Sequence, residues 1–248
     1  MIPISIIHAS RKRPQMAADT AMKWLSSAKN PNNIEYVLSL DSDEDGDAYD
    51  NAFGLLMNGA VKNIVFPNQN AVQAFNAGAA HSTGNLLVCI GDDFNQPPFH
   101  WDEALLTQLE GKEDYIVKTG DKCSKVSYSQ PWIITLPIMD RKYYERFGYV
   151  YYPEYQHMFC DTELTHVADL LDRKITLDIK FPHNHYSLMK TAPDEISRKA
   201  DKTWAQGEAL YLKRISENFG LSPEQIVGSL QCDAGHKQWL MSKGVYVS

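Results

Sequence analysis

The chain has 248 residues, of which 44% are hydrophobic and 22% are charged, and its formal net charge is −7. This is the composition of a globular protein; no apolar run is long enough to span a membrane, and the acidic balance argues against a protein that grips duplex nucleic acid through many phosphates. The cysteines are few and widely spaced, without a CxxC pair, which argues against a disulfide framework or zinc knuckle and favours a reducing, cytoplasmic compartment.

The first 120 residues alternate short apolar runs, which predict strands, with longer amphipathic stretches, which predict helices. The expected strands are residues 4–9, 35–40, 62–66 and 86–90, and the expected helices are residues 15–28, 49–58 and 72–82. Such an alternation predicts an α/β fold with a mainly parallel sheet that helices cover on both faces.

The pattern after residue 120 is less regular. We expect strands at 127–137 and 174–181, helices at 140–147 and 161–171, and an aromatic loop at 149–153. From residue 193 onward the spacing predicts helices at 195–219, 223–230 and 235–242. The economical division is an α/β domain over residues 1–192 and a helical C-terminal extension over residues 193–248, packed on the same domain.

Polar loops follow three of the predicted strands. Ser10 and Arg11 follow the first strand, Asp41 follows the second, and Asp92 and Asp93 follow the fourth. Ligands of parallel sheets bind outside the carboxyl ends of the strands, so we expect these distant segments to meet at one crevice.

Three groups in the sequence are candidates for chemistry. The adjacent carboxylates Asp92 and Asp93 repel each other unless a cation or donors lie nearby, so they are either a clamp for a metal-bound diphosphate or a solvated turn. Asp161 opens a predicted helix, where an acid either complements the helix dipole or serves as a general base. Of two nearby histidines, His183 and His185, we select His185 as the metal candidate, because neutral imidazole is a frequent metal ligand.

Together these segments resemble the family 2 glycosyltransferases of the GT-A fold, over roughly residues 3–205. The most specific match lies in residues 68–85, where Asn76, Gly78 and Gly84 keep the spacing of a helix motif of that family. The first strand with its Arg-Lys-Arg-Pro turn is similar to the family's opening strand and turn. The strand that leads into Asp92-Asp93 is similar to the family's DxD region. The run Asp161-Thr162-Glu163-Leu164 is similar to its E-D-x-D-L motif.

The resemblance implies the inverting transfer of a sugar from a nucleoside-diphosphate sugar, with UDP as the expected nucleotide, to an acceptor hydroxyl. It makes Asp161 the catalytic base, and it places Asp93 and His185 on a divalent metal, Mn²⁺ or Mg²⁺. The residues that it implies for binding of the nucleotide sugar are Ala9, Ser10, Arg11, Asp41, Asn76, Gly91 and Asp92.

The sequence departs from the family pattern at three points. The metal motif reads Gly91-Asp92-Asp93 in place of a strict DxD, Phe75 replaces the usual Arg of the helix motif, and Cys160 stands where a Glu usually precedes the base. The acceptor also stays open among a glycan, a lipid carrier, a protein side chain and a modified nucleic-acid base. No stretch of the sequence points to a lipid, and the acidic charge disfavours a nucleic acid, although an enzyme can flip a single base into an aromatic pocket. Several aromatic residues lie in this part of the chain. They form either a platform that binds the acceptor or ordinary core packing, and the two interpretations are equally favoured for Tyr149, Tyr151, Tyr152, Tyr155 and Trp132.

Two other functions fit parts of the pattern. A sugar-phosphate nucleotidyltransferase shares the α/β fold and the need for metal, but it normally has a glycine-rich loop after the first strand, and residues 8–14 contain no glycine. A non-catalytic relative that only binds nucleotide sugar is disfavoured by the presence of Asp93, Asp161 and His185. His8, inside the first strand, is expected to be a packed core residue.

Overall fold

The computed structural model describes residues 3–41, 46–54, 61–66, 68–94, 96–120, 132–183 and 195–245. These residues form one seven-stranded sheet with helices on both faces. Within these ranges, no helix combines the length and the apolar character that crossing a membrane requires.

The sheet is parallel apart from one strand. Its strands are β1 (Ile4–Ser10), β2 (Ile34–Asp41), β3 (Val61–Phe66), β4 (Leu86–Ile90), β5 (Ile116–Gly120), β6 (Ile138–Asp140) and β7 (Lys174–Lys180). They lie in the order β3-β2-β1-β4-β6-β5-β7. Only β6 runs against its neighbours, β4 and β5, among these strands, so the predicted mainly parallel sheet is confirmed.

Nine helices accompany the sheet in the described ranges. They are α1 (Pro14–Ser27), α2 (Gly46–Phe53), α3 (Ala71–Ala80), α4 (Trp101–Gln108), α5 (Arg141–Phe147), α6 (Cys160–Leu170), α7 (Glu195–Asp201), α8 (Trp204–Ser216) and α9 (Ala234–Ser242). Short 3-10 turns span Pro31–Asn33 and Asn218–Gly220.

The central strands are apolar on both sides because helices cover both faces of the sheet. One core contains Trp24 of α1 and Trp101 of α4, and the other contains Tyr143 of α5 and Tyr211 of α8, each at most 1% exposed. Residues in strands covered on two faces form continuous apolar runs, which explains why β4 reads Leu-Leu-Val-Cys-Ile in the sequence.

The two glycines in the most specific motif serve packing. A Cβ on Gly78 would lie 2.6 Å from Ile7 Cγ2, and one on Gly84 would lie 2.5 Å from Ser5 Oγ. Any larger residue at either position would therefore push α3, or the turn after it, away from β1. The spacing that carries the family resemblance is thus a requirement for close contact between a helix and the sheet.

The structure corrects the predicted elements in three places. The strand expected at 127–137 is irregular over residues 132–137, and the strand there is Ile138–Asp140; residues 121–131 lie outside the described ranges. The helix α4 and the strand β5 had not been predicted. The apolar residues 132–137 do not form a strand because part of their backbone bonds to a helix: the Ile134 N–H donates to Thr165 Oγ1 of α6 at 2.9 Å.

The third correction concerns residues 223–230, which form turns and not a helix. The N–H groups of Val227 and Gly228 both donate to the carbonyl of Leu170 at 2.9 Å. Gly228 also approaches the carbonyl of Asp169 so closely that no Cβ would fit. This segment therefore satisfies the C-terminal end of α6, where the last carbonyls lack partners within the helix.

Helices α8 and α9 pack on α6. Tyr211 of α8 is fully buried, and its hydroxyl contacts His166 Nδ1 at 2.7 Å and His236 Nε2 at 3.3 Å. Residues 184–194, where the predicted boundary between domain and extension falls, lie outside the described ranges, so that boundary stays a prediction.

Candidate functional site

The loops after β1, β2 and β4 lie side by side because β1 is hydrogen-bonded to both β2 and β4. Asp41, the last residue of β2, is only 3% exposed and forms an ion pair with Arg11. Ser10 Oγ lies 3.0 Å from the hydroxyl of Tyr49, which also accepts from the Arg13 N–H at 3.2 Å. The expected meeting of Ser10, Arg11, Asp41 and the Asp92-Asp93 loop at one edge of the sheet is therefore observed.

Asp92 is held by a buried chain of hydrogen bonds. Its Oδ1 lies 2.9 Å from His8 Nε2, and His8 Nδ1 lies 2.6 Å from the hydroxyl of Tyr36. A carboxylate only accepts, so Nε2 of His8 carries the proton and Nδ1 accepts from Tyr36. Burial, together with the charge of Asp92, raises the pKa of Tyr36, which keeps that hydroxyl protonated as a donor.

His8 is fully buried as expected, and it also orients Asp92. Arg13 Nη1 lies 3.7 Å from Asp92 Oδ2, and the backbone carbonyl of Asp92 accepts from Thr20 Oγ1 at 2.9 Å. With contacts from β1, α1 and the loop between them, Asp92 is a fixed carboxylate and not a solvated turn residue.

Asp93 contacts a histidine that the sequence did not select. Asp93 Oδ2 lies 3.0 Å from Nε2 of His183, which follows β7, and the imidazole stacks on Phe94 with ring centroids 4.1 Å apart. A Cβ on Gly91 would lie 3.0 Å from Asp93 Oδ1, so glycine gives the Asp93 side chain room at this turn. His185 lies outside the described residues, and its metal role stays a prediction.

The Asp93–His183 pair suits a divalent cation. Carboxylate oxygen and imidazole nitrogen are ligands that Mn²⁺ accepts, and such ions commonly keep further positions for substrate phosphates. Among the residues that the structure describes, no group of three or more His, Cys, Asp or Glu side chains is arranged to hold a metal. Within that part of the chain, Asp93 and His183 are a pair of adjacent side chains of the types that bind such ions.

Two residues expected at the nucleotide sugar have other surroundings. The side chain of Asn76 donates to the carbonyl of Tyr151 at 2.8 Å and accepts from the N–H groups of Val150 and Tyr151 at 2.9 and 3.0 Å. It therefore fastens the aromatic loop to α3, a role that the sequence resemblance did not indicate. Ala9 is half-buried within β1, opposite Ser39 in the sheet register. Contact of either residue with a donor stays a prediction.

Asp161 lies in the first turn of α6, behind Phe159, whose φ of 70° turns the chain into the helix. Its Oδ1 accepts from the Thr162 N–H at 2.8 Å. Burial raises the pKa of the Asp161 carboxyl, and the bonds to Thr162 and the nearby His157 partly oppose this rise. A carboxylate with a raised pKa is a stronger base, so the site suits removal of a proton from a hydroxyl.

His157 lies in the loop that leads into α6. Its side chain is exposed to solvent, yet desolvation by surrounding protein lowers its pKa. The charges of Asp161, Asp93 and Asp201 each act to raise that pKa. No motif pointed to His157; its only signal was its position four residues before Asp161.

The expected aromatic platform is largely buried. Trp132, Tyr151 and Tyr155 are at most 7% exposed, and the guanidinium of Arg214 lies 3.7 Å from the centroid of the Tyr152 ring. Of the two interpretations of these aromatic residues, core packing is the one observed for the buried three. Trp132 stacks on His166 of α6, the Tyr155 hydroxyl donates to Glu163 of α6 at 2.8 Å, and Tyr151 packs edge-on against Phe75 of α3.

The sequence matches no protein-family model and no curated protein sequence. The structure is similar to the mannosyltransferase PcManGT from Pyrobaculum calidifontis, solved with GDP-Man and Mn²⁺, with a TM-score of 0.66 and 14% identity over 90% of this chain. That match covers 66% of the mannosyltransferase, so the chain spans slightly less than two thirds of its length.

Two further solved structures share the fold. Glucosyl-3-phosphoglycerate synthase from Mycobacterium tuberculosis, in complex with Mn²⁺, UDP and glucosyl-3-phosphoglycerate, has a TM-score of 0.59 and 13% identity over 86% of this chain and 79% of that one. Mannosyl-3-phosphoglycerate synthase from Rubrobacter xylanophilus has a TM-score of 0.59 and 13% identity over 87% of this chain and 75% of that one. These likenesses establish that the chain has the GT-A fold.

Proposed function

We propose that the protein is a metal-dependent glycosyltransferase that moves a sugar from a nucleoside-diphosphate sugar to an acceptor hydroxyl with inversion. The observation that carries this proposal is the meeting of the loops after β1, β2 and β4 at one edge of the sheet, where Asp93 lies 3.0 Å from His183. The Asp93–His183 pair suits a metal-bound diphosphate and Asp161 suits a base, and in this proposal both face the same bound donor. The complexes of similar fold with Mn²⁺ and GDP-Man or UDP add support.

On the donor side, Asp93 and His183 would hold Mn²⁺ or Mg²⁺. When bound, such an ion neutralises charge on a leaving diphosphate as a Lewis acid. Arg11 and Arg13, beside Asp41 and Asp92, supply guanidinium groups whose planar forks recognise phosphate oxygens. In this proposal Asp41 contacts the nucleotide base, and UDP is the first nucleotide to test.

On the acceptor side, the carboxylate of Asp161 takes the proton of the attacking hydroxyl. The acceptor oxygen forms its bond to the anomeric carbon as the bond from that carbon to the phosphate oxygen breaks, and the nucleoside diphosphate leaves with the electron pair. One displacement of this kind inverts the anomeric configuration. Burial of Asp161 raises its pKa and so brings its basicity closer to what this proton transfer needs.

The experiment that tests this function is a donor panel. UDP-glucose, UDP-galactose, UDP-N-acetylglucosamine and GDP-mannose are each incubated with the full chain and Mn²⁺, and the products are followed by ³¹P NMR. We expect one donor to release nucleoside diphosphate, and chelation of the metal to stop the release. Release of pyrophosphate in the presence of a sugar phosphate and a nucleoside triphosphate would instead identify a nucleotidyltransferase.

The same panel separates an enzyme from a non-catalytic relative. A Mn²⁺-dependent rise in melting temperature with a nucleotide sugar, without turnover for any acceptor or for water, would identify a binding protein. If no donor is hydrolysed and none raises the melting temperature, the proposed function is wrong. The anomeric configuration of a transfer product, read from its ¹H coupling constants, tests inversion separately.

A further inference from the structure

Helix α1 holds the backbone of the loop after β4 from one side. The Thr20 hydroxyl donates to the carbonyl of Asp92 at 2.9 Å, and the indole N–H of Trp24 donates to the carbonyl of Phe94 at 2.6 Å. Residues four apart are neighbours on one face of a helix, so these two donors act side by side. They bond the two residues that flank Asp93, and the backbone of this carboxylate residue is therefore held on both sides.

Trp24 also supports the segment that carries His183. Its indole stacks on Phe181, the residue after β7, with ring centroids 5.4 Å apart and ring planes 3° apart. Phe94 in turn stacks on the imidazole of His183 with ring centroids 4.1 Å apart. The indole therefore contacts both chain segments whose side chains meet in the 3.0 Å contact between Asp93 and His183.

The surroundings of Trp24 fix its position. It is fully buried, as is Trp101, whose ring packs edge-on against it at a centroid distance of 4.8 Å. The indole N–H of Trp101 donates to the backbone carbonyl of Trp24 at 2.9 Å, and Phe94 and Phe181 are at most 5% exposed. A close-packed interior passes the displacement of one ring on to its neighbours, so a shift of the indole would move both segments.

We propose that α1 positions the metal site through Trp24, with the help of Thr20, by setting the separation of the segments that carry Asp93 and His183. This inference rests on the proposed function, in which those two side chains hold the divalent ion. Ligands that come from distant parts of a chain bind an ion tightly only when they are held near the required geometry before it arrives. A single buried side chain that contacts both segments meets that need.

The alternative role for a fully buried tryptophan is core packing alone, and Trp101 provides the comparison. Both indoles are fully buried and both donate to a backbone carbonyl. The acceptor of Trp24 is Phe94, next to the proposed ligand Asp93, whereas the acceptor of Trp101 lies within α1. Packing alone predicts equal consequences for loss of either indole, and a positioning role predicts that only loss of Trp24 affects the metal.

The first test measures metal binding in the absence of turnover. Trp24→Phe and Trp101→Phe each lose an indole N–H and keep an aromatic ring, and both should lower the melting temperature by about 2–10 °C. Mn²⁺ is titrated into each full-length variant with UDP and, separately, with GDP, and free Mn²⁺ is read by EPR. We expect the Kd of Mn²⁺ to rise about tenfold in Trp24→Phe, as for residues behind metal ligands, and to stay the same in Trp101→Phe. Equal Kd values for the two variants would overturn the proposal.

A smaller change on the same helix face serves if Trp24→Phe does not fold. Thr20→Val removes the donor to the Asp92 carbonyl and should raise the Kd of Mn²⁺ about threefold, the effect of one lost hydrogen bond. Thr20→Ser keeps the hydroxyl and should bind Mn²⁺ as the unaltered chain does. Normal Mn²⁺ affinity in Thr20→Val would show that α1 does not position this loop.

A second measurement needs no metal. The Phe94 N–H donates to the carbonyl of Gly91 at 3.2 Å, and the Phe181 N–H donates to the carbonyl of Gly120 at 2.8 Å. Hydrogen exchange at these two amides therefore reports separately on the two segments that Trp24 contacts. In the metal-free protein, Trp24→Phe should accelerate exchange at both amides.

Together the two measurements separate this inference from the proposed function. Accelerated exchange at both amides in Trp24→Phe but not in Trp101→Phe, with no Mn²⁺ bound by the unaltered chain, would uphold the positioning of the segments and count against the proposed function. If the unaltered chain binds Mn²⁺ and the two variants do not differ in exchange or in affinity, the inference is wrong and the proposed function stands.

Discussion

The donor and acceptor sides of the proposed site treat their carboxylates differently. On the donor side, each carboxylate at a strand end contacts a basic side chain: Asp41 with Arg11, Asp92 with His8, and Asp93 with His183. On the acceptor side, Asp161 accepts from a backbone N–H, and burial raises its pKa.

This difference follows from what each side has to do. A carboxylate that a basic group holds in place can fix charges and orient a ligand without changing its own state. A desolvated carboxylate at the start of a helix gains affinity for a proton, which a base must have. The parallel sheet supplies carboxylates held by basic groups because its strand ends meet. Helix α6 supplies the desolvated carboxylate because it is packed under α8 and α9.

Removal of the acceptor-side carboxylate should have the largest effect. We expect Asp161→Asn to lower the transfer rate by about 100- to 10,000-fold, the usual range for a general base, with the Kd of the donor unchanged by calorimetry. Asp172→Asn, which removes an exposed acid just beyond the other end of α6, is the control and should transfer at the normal rate. Normal transfer by Asp161→Asn would end its assignment as the base.

The second largest effect should come from removal of the buried ion pair that joins α8 to α6. Arg214 of α8 contacts both oxygens of Glu163, which is 3% exposed, at 2.7 to 3.3 Å. Arg214→Leu leaves a buried carboxylate without its cation and should lower the free energy of unfolding by about 3–5 kcal/mol, measured by urea denaturation.

The control for that measurement is an exposed pair. Lys142 contacts Glu113 at 2.9 Å with side chains that are 58% and 74% exposed, and Lys142→Met should cost at most about 1 kcal/mol. Equal losses for the two variants would mean that the Arg214–Glu163 pair does not support α6 beyond what a surface pair contributes.

Loss of a donor-side ligand should act on binding. Asp93→Ala and His183→Ala should each weaken Mn²⁺-dependent donor binding at least about tenfold, since even residues behind metal ligands affect affinity by 10- to 100-fold. His81→Ala, at an exposed histidine after α3, should bind the donor normally. If donor affinity in Mn²⁺ survives both site substitutions, the metal is held elsewhere.

The smallest effect is a displaced pH profile. Asp161 works as a base only when deprotonated, and its pKa is raised by burial. Transfer should therefore decline with acidification at a pH above about 3.9, the pKa of an ordinary aspartate, while donor binding is followed separately over the same range. The residual rate of Asp161→Asn should lack this decline. A midpoint at or below the ordinary value would contradict the desolvated environment of Asp161.

The local pattern predicted most of the sheet half because each signal there lies within a few residues. Apolar runs bounded by Asp41 and by Asp92 marked β2 and β4, and the rule for parallel sheets placed their ends together. The prediction was wrong at 132–137 and at 223–230, where apolar or helical spacing was present but backbone N–H groups donate to Thr165 and to the carbonyl of Leu170.

The sequence did not determine which of the candidate side chains contact one another in the site. His183 and His185 are equivalent in the sequence, and only the path of the chain after β7 brings His183 to Asp93. Asn76 belongs to the most specific motif, yet its side chain fastens residues 150–151. His157 belongs to no motif, and the charges that act on its pKa come from three separate segments.

By itself, the sequence determined the class of fold, the strand ends that carry carboxylates, and Asp161 at the start of a helix, because hydrophobic periodicity and motif spacing are local properties. Only the tertiary structure decided which side chains are partners, which aromatic residues are buried, and that His183 is the histidine that contacts Asp93. Such contacts join residues far apart in the chain, and the packing of helices on the sheet sets the distances between them.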